Sequence, residues 1–147
     1  MALLFIHLTD SFNVKALPRI NKLARAWSCT RSDVIRSLLY THLKMPSPQR
    51  RTEQIEKIYS AEVLAEREFR KNKCMAVYLD SRILVQLVEY ASRRGNDIYD
   101  VIRVIIYHRL GDIPEAGQVP ESPYVYGIKL GPGKGRVIVK KVKACKS

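Results

Sequence analysis

Asp33-Val34-Ile35-Arg36-Ser37-Leu38-Leu39-Tyr40-Thr41-His42-Leu43 is matched, 67 residues later, by Asp100-Val101-Ile102-Arg103-Val104-Ile105-Ile106-Tyr107-His108-Arg109-Leu110. Six of the eleven positions are identical, and Leu38/Ile105 and Leu39/Ile106 exchange one aliphatic side chain for another. Apolar residues three and four apart put one stripe on a helix. In the first copy the stripe is Val34, Ile35, Leu38, Leu39 and Leu43; in the second it is Val101, Ile102, Ile105, Ile106 and Leu110. Two such units in one chain imply half-domains that complete each other's core.

Upstream of each stripe the same order recurs. In the second copy Met75, Val77 and Leu79 alternate with other residues, the pattern of a half-buried strand. Asp80 or Ser81 then caps a helix carrying Ile83, Leu84, Leu87, Val88 and Ala91. Gly95 ends that helix, and Asn96 or Asp97 caps the next. In the first copy Leu4, Ile6 and Leu8 alternate as a strand, and Leu17, Ile20, Leu23, Ala24 and Trp27 line the first helix. Pro18 sits near its start, where a missing N–H costs little, and Thr30 caps the second helix. Leu8 matches Leu79 at a spacing of 71, while Ala24 matches Ala91 at 67. The first copy therefore carries four extra residues around Ser11-Phe12-Asn13-Val14.

Four segments follow: a first unit (1–45), a connecting segment (46–72), a second unit that packs with the first as one domain (73–111), and a C-terminal extension (112–147). Pro46 and Pro48 stop the first unit. Residues 52 to 70 place Ile55, Ile58, Tyr59, Val63, Leu64 and Phe69 among alternating charges, an amphipathic bridging helix with Glu/Arg pairs on its wet face. In the extension, residues 124–130 and 136–142 flank Gly131-Pro132-Gly133-Lys134-Gly135, the signature of a β-hairpin.

The chain has 147 residues and a net charge of +12, distributed as +5, +1, +2 and +4 over those segments. An excess of this size points to a polyanionic partner, nucleic acid before an anionic membrane surface. The apolar start Met1 to Ile6 is too short for a signal peptide or a span, and no stretch approaches about 20 apolar residues. The expectation is a soluble cytoplasmic protein with no membrane partner. Cys29, Cys74 and Cys145 stand apart, with no Cys/His cluster, which predicts ordinary thiols and no metal. His7, His42 and His108 have no evident Cys or carboxylate constellation, and the glycine-rich loop lacks the helix and Ser/Thr that phosphate binding needs. Neither enzymatic activity nor a cofactor is expected.

Strand, helix, short capped turn and second helix is the order of the ribbon-helix-helix (RHH) proteins. Thr30-Arg31-Ser32-Asp33-Val34-Ile35-Arg36 and Asp97-Ile98-Tyr99-Asp100-Val101-Ile102-Arg103 resemble the start of that family's second helix. The resemblance covers residues 3–44 and 74–111. It implies a mainly α fold with a two-stranded antiparallel β-ribbon: an intrachain RHH pseudo-dimer with a connecting helix and a C-terminal β-hairpin. The tandem arrangement resembles regulators from archaeal viruses, which implies the host cytoplasm as location.

The resemblance further implies double-stranded DNA as partner, with the ribbon in the major groove, a homo-oligomer on DNA and transcriptional regulation, repression included. The base-reading positions are then Phe5, His7, Thr9, Ala76 and Tyr78, flanked by Leu3 and Cys74. His7, Thr9 and Tyr78 can hydrogen-bond; Phe5 and Ala76 can only touch a thymine methyl or pack. Phosphate positions are Thr30, Arg31 and Ser32 at one helix start, and Lys73 at the flank of the ribbon. The matching positions at the other helix start are Asp97, Ile98 and Tyr99, where Arg93, Arg94 and Asn96 are the phosphate candidates that offset the charge of Asp97. In the extension, Lys134, Arg136, Lys140 and Lys141 are further phosphate candidates. Arg36 and Arg103 are placed to pair with Asp33 and Asp100, Tyr40 and Tyr107 belong to the core or an interface, and Trp27 is expected to pack under the turn rather than stack on a base. An alternative for Phe5 and Tyr78 is cover by the hairpin or another subunit. Two other functions fit the same residues: a nucleoprotein that coats DNA through charge, and an antitoxin-like module that binds a protein.

Overall fold

The computed structural model describes residues 2–45, 50–68, 73–113, 128–130 and 137–139. It is mainly helical, with one small sheet in the body of the chain. Strand β1 (Ala2–His7) leads to a short helix α1 (Asp10–Lys15), then α2 (Leu17–Trp27) and α3 (Arg31–His42). Helix α4 (Thr52–Glu68) precedes strand β2 (Cys74–Leu79), which is followed by α5 (Ser81–Arg94) and α6 (Ile98–Gly111). Two three-residue strands, β3 (Ile128–Leu130) and β4 (Val137–Val139), pair antiparallel; their connecting residues lie outside the described ones.

β1 and β2, 67 or more residues apart in sequence, form an antiparallel ribbon. The partners run from Ala2↔Leu79 through Leu4↔Val77 and Phe5↔Ala76 to His7↔Cys74. Side chains alternate across a pleat, and Leu4, Ile6, Met75, Val77 and Leu79 all face the core. One continuous cluster joins them to Ile20, Leu23, Ile35 and Leu39 from the first unit and Ile83, Leu87, Ile102 and Ile106 from the second. A two-stranded ribbon is marginal by itself; here the helices of both units close over its inner face.

The local signals act where the sequence placed them. Thr30 accepts the Asp33 N–H at 3.1 Å, and Asp33 reaches back to the Thr30 N–H, a reciprocal capping box. Asp80 caps α5 and Asp97 caps α6. Ser28 (φ 54°) and Gly95 (φ 66°) close α2 and α5 in the left-handed conformation. The four extra residues of the first unit lie in α1, capped by Thr9. Its Phe12 is fully buried, with its ring centroid 6.0 Å from that of Tyr107 in the second unit.

Three expected apolar positions turn out otherwise. On α4 the buried residues are Ile55, Ile58, Tyr59, Glu62 and Ala65, whereas Val63 and Leu64 are exposed. The helical period carries 55, 58 and 59 to 62, and the charge of Glu62 is accommodated there by an arginine described below. On α5, Val88 is exposed, so the stripe narrows to Ile83, Leu87 and Ala91 with Leu84 at its margin. Phe69 and the prolines of 46–49 lie outside the described residues.

Candidate nucleic-acid interface

Because the inward positions of the ribbon are Leu4, Ile6, Met75, Val77 and Leu79, the opposite face presents Leu3, Phe5 and His7 with Cys74, Ala76 and Tyr78. His7 is exposed; Phe5, Tyr78, Leu3 and Cys74 are half-buried. The Cys74 sulfur lies 3.7 Å from His7 Nδ1, across the strand pair. Ala76, by contrast, has no accessible surface, so its methyl offers nothing to a base in this conformation. Thr9 lies beyond the strand: its hydroxyl oxygen accepts the Phe12 N–H at 3.2 Å as the cap of α1. Lys73 is exposed at the ribbon's end, and its carbonyl accepts the Leu8 N–H at 2.7 Å.

The outer edge of β2 is closed by side chains, which removes a template for unwanted strand pairing. Ser32 Oγ donates to the Ala76 carbonyl at 2.8 Å, and Arg36 Nη1 donates to the Tyr78 carbonyl at 3.2 Å. From α4, Glu62 accepts the Tyr78 N–H at 2.8 Å and Glu66 accepts the Ala76 N–H at 3.4 Å. Behind that edge lies a buried polar cluster. Arg36 is held between Asp33 (2.8 Å) and Glu62, and the Tyr59 hydroxyl donates to Asp33. Burial pushes the Glu62 carboxyl above the usual range, against the pull of Arg36. The corresponding pair of the second unit, Arg103 with Asp100, forms at the surface. Both expected Arg/Asp pairs are therefore present, in unlike surroundings. Tyr40 is buried and donates to Asp80 at 2.9 Å; Tyr107 and Trp27 pack partly buried against the core.

The two helix starts differ in the same way. At α3, Ser32 is buried on β2, Thr30 is committed to its capping box, and Arg31 faces Glu66 at 3.5 Å. At α6, Arg93, Arg94 and Asn96 are exposed, and Asp97 accepts the Tyr99 N–H at 2.9 Å. Arg94 also stacks over the Tyr90 ring at 4.5 Å. A groove of about 770 Å³ runs between the end of α2, the start of α3 and α4, lined by Asn21, Arg25, Cys29, Arg31 and Glu66 among others. Cys29 is among its lining residues, and burial, then Asp33, push its thiol up to about 12, which leaves a poor nucleophile. Lys134, Arg136, Lys140 and Lys141 lie outside the described residues.

Sequence reasoning missed Glu62, Tyr59 and Glu66 as parts of this site. The signal for Glu62 was available: it falls on the apolar face of α4, where an acid needs a partner. Among the described residues no group of three His, Cys, Asp or Glu is placed to hold a metal, and no helix is long and apolar enough to cross a membrane. This chain matches no family model, no curated protein and no solved structure.

Proposed function

We propose that the chain is an intrachain RHH pseudo-dimer that lays its ribbon in the major groove of double-stranded DNA and regulates transcription from preferred sequences. The observation that carries this reading is the strand register. The strands match each other at a spacing of 71, so Phe5 and Ala76 are counterparts, and they stand directly opposite one another. An approximate two-fold axis through that pair relates Leu3↔Tyr78 to Cys74↔His7. The helices agree: His42 and Arg109 are counterparts at a spacing of 67, and Arg109 Nε donates to His42 Nδ1 at 3.1 Å. Two helix-paired halves around one ribbon is the arrangement that a groove about 12 Å wide admits.

The charge of +12 supplies the attraction; Lys73 is exposed at the ribbon's end, and Arg93, Arg94 and Asn96 are exposed just before the start of α6. His7 and the Tyr78 hydroxyl are the polar groups left on the reading face. That short polar inventory favours a second reading, a nucleoprotein that coats DNA with little regard to sequence. Selection of bound duplexes from a random pool at stated salt separates the two. Recovery of a shared motif, lost on His7→Ala or Tyr78→Phe, supports regulation. A pool that stays random, with uniform weakening by Arg93→Ala, supports coating.

A further inference from the structure

We propose that α4 is an autoinhibitory latch: an acidic helix seated on the DNA-facing flank of the first unit, which must lift before that flank can engage a duplex. The inference rests on the DNA-binding reading above and concerns its regulation. Residues Thr52–Glu68 hold five glutamates against one lysine and one arginine, within a chain of net charge +12. A duplex repels such a helix, yet its carboxylates lie against the ribbon.

Three observations fix the seat. Glu66 turns one oxygen to the Ala76 N–H and the other to Arg31, the basic residue at the start of α3. Glu62 takes the Tyr78 N–H and binds Arg36. Ala76, the middle outward position of β2, is sealed at 0% exposure. A ribbon lying in the groove brings the duplex backbone to its flanks, where a helix start and an arginine attract phosphate. On this flank the carboxylates of Glu62 and Glu66 stand where phosphate oxygens would approach. They satisfy the same backbone and guanidinium donors.

Among the described residues, the start of α6 has no such cover. Val104 is 56% exposed, although its counterpart Ser37 is buried at 1%. Asp100 is also exposed, and so are Arg93, Arg94 and Asn96. Among the described residues, the α3 side of the ribbon is thus closed and the α6 side open. The open flank makes first contact, and phosphate then competes with Glu66 for Arg31. Release adds a phosphate contact, so low salt favours the unlatched form.

The test uses the full chain and a mixed-sequence duplex of roughly 20 base pairs, about two helical turns. Binding is followed by fluorescence anisotropy across a salt series for wild type, Glu66→Gln and Glu56→Gln. Glu56 is exposed on the same helix, so its replacement makes the same charge change away from Arg31. The latch predicts that Glu66→Gln tightens binding roughly two- to fivefold more than Glu56→Gln, the range of a partly exposed ion pair. It also predicts that saturating duplex lowers hydrogen-exchange protection of α4 amides in the wild-type chain. Equal effects of the two variants, or α4 amides that keep their protection on DNA, overturn the latch and leave DNA binding standing. No binding by wild type or Glu66→Gln at low salt overturns the DNA reading and the latch together. Binding by Glu66→Gln alone supports both.

Discussion

Arg36 and Arg103 occupy equivalent places in the repeat, and their energetics should differ several-fold. Arg36 is buried with two carboxylates and donates to a strand carbonyl. Removing it leaves Glu62 and Asp33 buried without their cation, which costs about 3–5 kcal/mol. Arg103 pairs with a largely exposed Asp100, and such pairs contribute under about 1 kcal/mol. Urea unfolding of Arg36→Ala and Arg103→Ala should therefore give sharply unequal losses; similar losses would refute the assignment of Arg36 to a buried cluster. His42 supplies a pH test. Burial first, then Arg109 and His108, lower its pKa below 6.5. Its Nδ1 accepts from Arg109, so the folded chain favours neutral imidazole. Below pH 6.5 the unfolded chain takes up a proton that the folded chain resists, and stability falls as pH drops toward the lowered folded value. His42→Gln should flatten that slope in a pH series of thermal midpoints.

Among the elements, α1 and α4 are where the two units cease to be alike. The four extra residues of the first unit let Phe12 enter the core beside Tyr107, a contact without a counterpart in the second unit. Phe12→Ala should cost about 3–5 kcal/mol, read as a shift of the denaturation midpoint at constant slope. The helix ends offer an opposite prediction. Ser28 and Gly95 are counterparts at a spacing of 67, and both are left-handed. Only the first bears the steric cost of a Cβ there. Ser28→Gly should stabilise by roughly 0.5–1 kcal/mol, and Gly95→Ala should destabilise by a similar amount. Nothing lies within 4 Å of a Cβ built at Gly95, so the second effect isolates backbone strain. α4 shows how periodicity misleads: Val63 and Leu64 looked like core, but the turn that seats Ile58 and Tyr59 also brings Glu62 inward.

At the scale of the molecule, both strands of the ribbon and both halves of the core belong to one chain. This arrangement predicts folding without a partner: the thermal midpoint should stay constant over a hundredfold dilution, whereas an obligate dimer's would fall with concentration. A midpoint that drops on dilution would show that a second copy completes the core. The asymmetry described above is also molecular in scale. The polar cluster and the acidic helix gather where α3 of the first unit meets the β2 edge, whereas Arg93, Arg94 and Asn96 before the start of α6 are exposed.

The amino-acid sequence by itself determined the repeated order of elements, the helix cap at Thr30, the choice of Asp80 or Ser81 and of Asn96 or Asp97 for the other two caps, the helix end at Gly95 and the inward faces of both strands. These follow from alternation, helical period and capping chemistry, which act between residues near in sequence. It also marked the Arg/Asp pairs, three residues apart. Only the tertiary structure decided that β1 lies on β2 with Phe5 opposite Ala76, that Glu62 and Glu66 close the strand edge, and that Ala76 is sealed while His7 is open. Those outcomes depend on which surfaces meet after the chain has turned back on itself. A charged residue on an apolar face discloses its partner only when the element carrying that partner arrives.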